Sequence, residues 1–250
     1  MRRLREGGVK SRGGAGWNGL EGVIDRSWHQ YLGQSMLTEE EQDAFLESIQ
    51  TVRRHIAIQL MPVQQSAMAV AHIGKLHKNV DQLLQDSDKI LAPLACQAGC
   101  AHCCHVRVSV SQPEVFHILT ALRQHSDMAL DSLIQRLRQY VETSQHNSLH
   151  IRQACAFLVD NLCSIYSHRP AVCRKAHSLS VSACASGAEH IPQDLQLILR
   201  AEALIQGHAA AYEDAGLPAA SHELASAVLL ALADAQAQET WFAGKRAGAV

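Results

Sequence analysis

At 250 residues and 27.3 kDa, the chain is long enough for one large domain or two small ones. A formal charge of −2, a sequence pI near 6.7 and 18% charged residues leave no basic face for nucleic acid and no cationic excess for an anionic membrane. Mean hydropathy is −0.07 and no apolar run reaches about 18 residues, which argues against a spanning helix.

The N-terminal stretch reads MRRLREGGVKSRGGAG, basic but without the apolar segment of a secretory signal, so a reducing cytoplasmic compartment is expected. Eight of the 15 glycines fall between Gly7 and Gly33, interrupted by Arg2, Arg3, Arg5, Lys10 and Arg12. Such Gly-rich polar sequence loses too much backbone entropy to order itself, and residues 1–35 read as a disordered tail. Met36 follows it directly and is a candidate start of the biological chain.

Residues 36–91 read as N-terminal helices. Thr38 and Glu41 form a capping box, and Phe45, Leu46, Ile49, Val52, Ile56 and Leu60 follow at helical spacing until Pro62. A second helix is predicted from about Val63 to Gln85, with Val70, Ile73, Leu76, Val80, Leu83 and Leu84 as its stripe. Ser111 to Glu114 is another capping box, opening a helix through Phe116, Leu119 and Leu122, and the pattern repeats from Leu130 to Tyr140. Residues 187–250 read as C-terminal helices, over Pro192 to Tyr212 and Ser221 to Phe242, on Ala- and Leu-rich propensity. The segment Cys155 to Tyr166 reads as a small hairpin, Ala156-Phe157-Leu158 against Ser164-Ile165-Tyr166, around Asp160-Asn161. The expected fold class is mostly α: a helical protein with an irregular cysteine-rich metal-binding centre and a small β-hairpin.

The chemistry lies in 8 Cys and 15 His. In a reducing compartment, clustered cysteines more often hold metal than form disulfides. Cys96, Cys100, Cys103 and Cys104 fall within nine residues, with Gly99 to let the backbone curl. Cys155, Cys163, Cys173 and Cys184 follow about 50 residues on, so the intervening helices must fold back. Zinc takes four Cys or His ligands tetrahedrally, and iron–sulfur clusters commonly take four thiolates, so eight cysteines suffice for two four-ligand sites or for one cluster with thiols to spare. Four disulfides would need an oxidising compartment and leave Cys103-Cys104 an awkward adjacent pair. Buried structural thiols would be scattered through helices, and these are not. A zinc site that only holds loops stays open. The spacing of Cys96, Cys100 and Cys103 also matches radical S-adenosylmethionine enzymes, but no strand precedes it and His102 stands where an aromatic is usual.

Cys96, Cys100, Cys103 and Cys104, then Glu114, then Cys155-x-Phe157-Leu158, Cys163-Ser164-Ile165-Tyr166, Arg169-Pro170-Ala171-Val172-Cys173-Arg174, Lys175-Ala176-His177-Ser178 and Cys184 resemble the family with a CxxCxxCC-type cysteine cluster, a zinc- or iron-chelating domain (YkgJ-like). The resemblance covers residues 92–186, with three residues rather than two in the first gap. It implies metal or iron–sulfur binding with the eight cysteines as ligands, and no settled reaction. Flagellin lysine N-methylase looks like a distant relative, which keeps a methyltransferase or an oxidoreductase supported by the cluster as alternatives. A zinc-shaped interaction module is another. The expected partner is a metal ion, zinc or iron, with no nucleic acid and no membrane; substrate, protein partner and oligomeric state are not legible.

Other residues carry weaker expectations. Pro170 suits the first turn of a short helix with Cys173 one turn on. Arg169 and Arg174 are expected to offset thiolate charge and donate to sulfur. Tyr166 is expected to pack. His102, His105, His168 and His177 could each replace a thiolate. His146 and His150 have a one-face helical spacing that most often stays solvated. His72 and His77 read as surface, and His208 and His222 carry no signal. No Walker loop, strand-borne GxGxxG or nucleophile elbow is present, so no catalytic residue can be named.

Overall fold

The computed structural model describes residues 37–86, 94–97, 99–124, 126–146, 152–188 and 190–247. The expected tail over 1–35 and the His146–His150 pair lie outside what is described.

Thr38 opens helix α1 (Glu39–Leu60) through the expected capping box, with Glu41 reaching back to the Thr38 N–H at 2.8 Å. Helix α2 (Ser66–Asp86) turns the buried stripe Val70, Ile73, Leu76, His77 and Val80 inward. Strand β1 (Ser109–Ser111) runs straight into helix α3 (Gln112–Leu122), capped by Ser111 and Glu114, and helix α4 (Asp127–His146) follows. The hairpin is β2 (Leu158–Val159) against β3 (Leu162–Cys163), shorter than the sequence suggests but around the expected turn. Asp160 and Asn161 both have positive φ, 50° and 60°, as a two-residue hairpin turn of this hand requires. Short helices α5 (Ala171–Lys175) and α6 (Val181–Ser186) carry Cys173 and Cys184. Helix α7 (Leu195–Asp214), strand β4 (Ser221–Glu223) and helices α8 (Leu224–Ala233) and α9 (Ala237–Ala247) complete the chain.

The predicted continuous helix over Ser221 to Phe242 is therefore a strand and two helices. Tertiary pairing overrides the Ala/Leu propensity: Ser221–Glu223 lies antiparallel to β1, with Val110 opposite His222. The Glu223 carboxylate then caps α8, accepting from the Ala225 and Ser226 amides at 3.0 and 2.8 Å. Asp234 takes over the break, accepting from the Gln236 amide at 2.8 Å. β1–α3 and β4–α8 are thus two strand–helix units joined by their strands, with α3 and α8 in contact.

One buried cluster runs through most of the chain. It joins Leu60, Val70 and Val80 to Phe116 and Ile118, takes in Phe157, Ile165 and Ala171 from the cysteine region, and ends on Tyr212, Val228 and Trp241. Within it the Tyr212 hydroxyl donates to Ala69 O at 2.7 Å, and Trp241 Nε1 to Pro218 O at 2.7 Å. Among the described residues no helix is long and apolar enough to cross a membrane. The outlying helix α1 is held along α7 by the smaller cluster of Phe45, Ile49 and Ala203 and by a two-pronged Arg53–Asp214 pair at 2.6 Å.

Close approach of α1 and α7 depends on Gly207. A Cβ placed there would sit 2.6 Å from Val52 Cβ and 2.9 Å from the Ile49 carbonyl. Gly207→Ala should cost about 1–3 kcal/mol through overpacking, outweighing its gain in helix propensity. Thermal melting followed by circular dichroism should fall by roughly 2–4 °C for each kcal/mol. An unchanged midpoint would place the α1–α7 contact elsewhere.

Candidate metal centre

All eight cysteines carry free thiols; Cys96 and Cys103 are exposed and the other six half-buried. The backbone brings the two halves together by direct bonds. The Cys155 amide donates to Cys104 O at 2.8 Å, and the Ala95 amide to Ser178 O at 2.8 Å. Arg152 clamps a third point: its guanidinium donates to His102 O at 2.7 Å and to Cys184 O at 3.3 Å. Sequence reading passed over this residue, because nothing in its neighbourhood marks a carbonyl clamp. Gly99 supplies the curl expected of it, with φ of +84°. Cys103 and Cys104 then lie in a 3₁₀ turn over His102–His105.

The thiols feel one another in a definite pattern. Burial raises Cys96, and the charges of Cys100, Cys103 and Cys184 add to that rise. Cys104 is raised first by its hydrogen bond with Cys103, then by burial and by the charges of Cys103, Cys155 and Cys163. Burial raises Cys173, with Cys155, Cys103 and Cys163 contributing, and raises Cys155 to about 11. Cys103 alone moves down, to about 6, through the Cys104 hydrogen bond and the nearby charges of Arg169 and His105. Charge effects of Cys103 reach Cys96, Cys104, Cys163 and Cys173. The chemistry of the eight cysteines, reduced thiols gathered from two segments, suits zinc or iron. Among the described residues no three His, Cys, Asp or Glu side chains converge closely enough to hold an ion as they stand.

Several non-cysteine expectations need correcting. Arg174 is buried, and its three bonds go to oxygen, not sulfur: to Arg169 O at 2.9 Å, to Ser167 O at 2.5 Å and to the Asp81 carboxylate. Its guanidinium fork ties the loop before α5 to α2. Arg169 also reaches Asp81, at 3.2 Å, and its charge lowers the Cys103 and Cys163 thiols, so it offsets sulfur charge without bonding to it. Tyr166 is 64% exposed, with the Arg169 guanidinium 3.9 Å from its ring centre. Pro170 precedes α5 rather than starting it. His177 is occupied on both nitrogens, by Lys175 O and by the Asp194 amide, each at 2.9 Å, so it does not face the thiols.

His77 is buried, not on the surface, because it falls on the stripe between Ile73 and Val80. Its Nε2 meets the Glu114 carboxylate at 3.2 Å. Glu114 also accepts from the Ala171 amide at 2.7 Å, the Ser111 amide at 3.1 Å and the Ser111 hydroxyl at 2.8 Å. Those bonds join α2, β1 and α3 to the first residue of the helix that carries Cys173. Burial pushes the Glu114 carboxyl up, but the His77 bond and charge and the Ala171 and Ser111 bonds outweigh it and hold the group below its ordinary value. A depressed folded pKa contributes stability that is full above the unfolded value of about 4.3 and is lost as pH falls through the folded one. Glu114→Gln turns an acceptor into a donor facing donors, and should cost about 1–3 kcal/mol at neutral pH. In thermal melts from pH 7 to 3, the variant should also show a shallower acid decline than the parent chain. Parallel declines would remove Glu114 from this role.

No curated protein and no solved structure matches the chain. Residues 95–194, which hold every cysteine and the helices α3 to α6, match the family model CxxCxxCC, described as "putative zinc- or iron-chelating domain". The cysteine-bearing part of this chain is therefore similar to the family that its sequence resembles.

Proposed function

We propose that the protein binds zinc or iron through two adjacent four-sulfur sets. Cys96, Cys100, Cys103 and Cys184 form one; Cys104, Cys155, Cys163 and Cys173 form the other. What supports the division is that Cys96 lies near enough to feel Cys100, Cys103 and Cys184, whereas Cys104, although hydrogen-bonded to Cys103, also feels Cys155 and Cys163. Cys103 lies at the seam, since its charge also reaches Cys163 and Cys173. The bonds Cys155–Cys104 and Arg152–Cys184 tie the two cysteine-bearing segments together at the backbone. The same arrangement accommodates an iron–sulfur cluster, whose thiolate ligands are of the same kind. The role this supports is structural, redox or metal-handling, in the cytoplasm.

A second reading, in which the metal only shapes a docking surface, draws on the exposed Val159, Leu162 and Tyr166 around Cys163.

Elemental analysis and an absorption spectrum on anaerobically purified chain test the proposal. Zinc leaves the protein colourless, and an iron–sulfur cluster colours it. Cys184→Ser and Cys173→Ser should each remove about half of the metal, and Cys103→Ser more than either. Metal binding can contribute on the order of 10 kcal/mol of apparent folding energy, so Cys173→Ser should also open the Ser164–Arg174 segment to protease while the long helices persist. Full metal content in both Cys173→Ser and Cys184→Ser overturns the two-set site, as does metal-free parent protein.

A further inference from the structure

Away from the thiols, a cavity of about 360 Å³ opens between α2, α3 and the turn before α5, lined by His77, Lys78, Asp81, His117, Ser167 and Arg174 among others. Two of its features have no structural use. His77 is 3% exposed, and its Nδ1 is buried without a hydrogen-bond partner. His117, half-buried beside it, makes ring contacts but no hydrogen bond through its imidazole among the described residues.

We propose that His77 and His117 form a second, labile site for a divalent transition-metal ion of the zinc type, completed by water in the cavity. The Glu114 carboxylate takes up His77 Nε2 at 3.2 Å, and Nδ1 is the ring nitrogen left without a partner. A carboxylate behind one ring nitrogen with the other free is the arrangement that orients metal-ligating histidines. The two ring centres are 5.0 Å apart with planes at 78°. Tetrahedral zinc with Zn–N near 2.0–2.1 Å places two imidazole centres about 5 Å apart, which is the separation of these rings. His168 stacks on the far partner, 5.0 Å from His117 and tilted by 35°, with Nδ1 against the Ser167 hydroxyl.

Charge explains why the site is labile. Asp81 pairs with both Arg169 and Arg174, and the exposed Lys78 lines the same cavity, so the positive charge around it opposes a bound cation. Only two protein ligands are involved, in keeping with the absence of any three-ligand group among the described residues.

Titrating the full chain with Co²⁺ reads this site and the thiols separately. Thiolate ligands add sulfur-to-cobalt charge transfer in the near ultraviolet, whereas imidazole and water give only ligand-field bands in the visible. The expected result is a weaker class of cobalt that adds visible absorption without charge transfer. His117→Ala and His117→Gln should abolish it and leave the charge-transfer intensity intact. Lys78→Gln should tighten the same class by about two- to five-fold, more at low salt. If all bound cobalt carries charge transfer and neither His117 variant changes the titration, the proposal is overturned. A His117-dependent visible band with no charge transfer would uphold this site while removing the cysteine sets. No cobalt bound at all overturns both.

Discussion

The carboxylate of Glu114 is the constraint on which the cysteine region's placement depends. It is almost fully buried, and an unpaired buried charge of this kind would be prohibitive. Four donors from His77, Ser111 and Ala171 surround it instead, and they come from α2, from the junction of β1 and α3, and from the start of α5. The charge can stay buried only if all of these elements are present together. α5, five residues long and unable to hold itself, is thereby fixed with Cys173 on it. The Arg174–Asp81 pair fixes the same helix to α2 from its other end.

That scaffold sets the electrostatics of the thiols. Six of the eight are half-buried, and most of those with a resolved shift are pushed up, by burial and by one another. A set of sulfurs that disfavours several thiolates at once is one that a divalent cation would rebalance, because a coordinated thiol is deprotonated by the ion's own charge. Arg169 supplies part of the positive charge locally, and stacks on Tyr166 at the exposed edge of the hairpin. Arg174, in the same region, is spent on carbonyls and on Asp81.

The histidines divide by the same logic. His177 is a structural bridge between α5 and the start of α7, with both nitrogens used. His208 donates from Nδ1 to Leu204 O at 2.8 Å inside α7, and burial lowers it to about 4. His77 leaves Nδ1 and His208 leaves Nε2 buried without a partner, and of these two His77 is the one that lines the cavity beside His117.

Local chemistry was legible along the chain wherever it acts over three or four residues. The Thr38 and Ser111 capping boxes, the apolar stripes of α1 and α2, the Asp160-Asn161 turn and the free, clustered cysteines all follow from short-range spacing. Pairings between distant segments left no such mark. The β1–β4 ladder joins Ser109–Ser111 to residues whose own propensity is helical. Arg174 turns from sulfur to Asp81, 93 positions earlier, and Arg152 reaches a carbonyl 50 positions away. His77 reads as surface from its offset to His72, but its place on the stripe with Ile73 and Val80 buries it. Spacing alone reports which side chains share a helix face or a turn. Which buried charge meets which donor is settled only when the helices pack, since each such pair is stable only after water has been excluded from both partners at once.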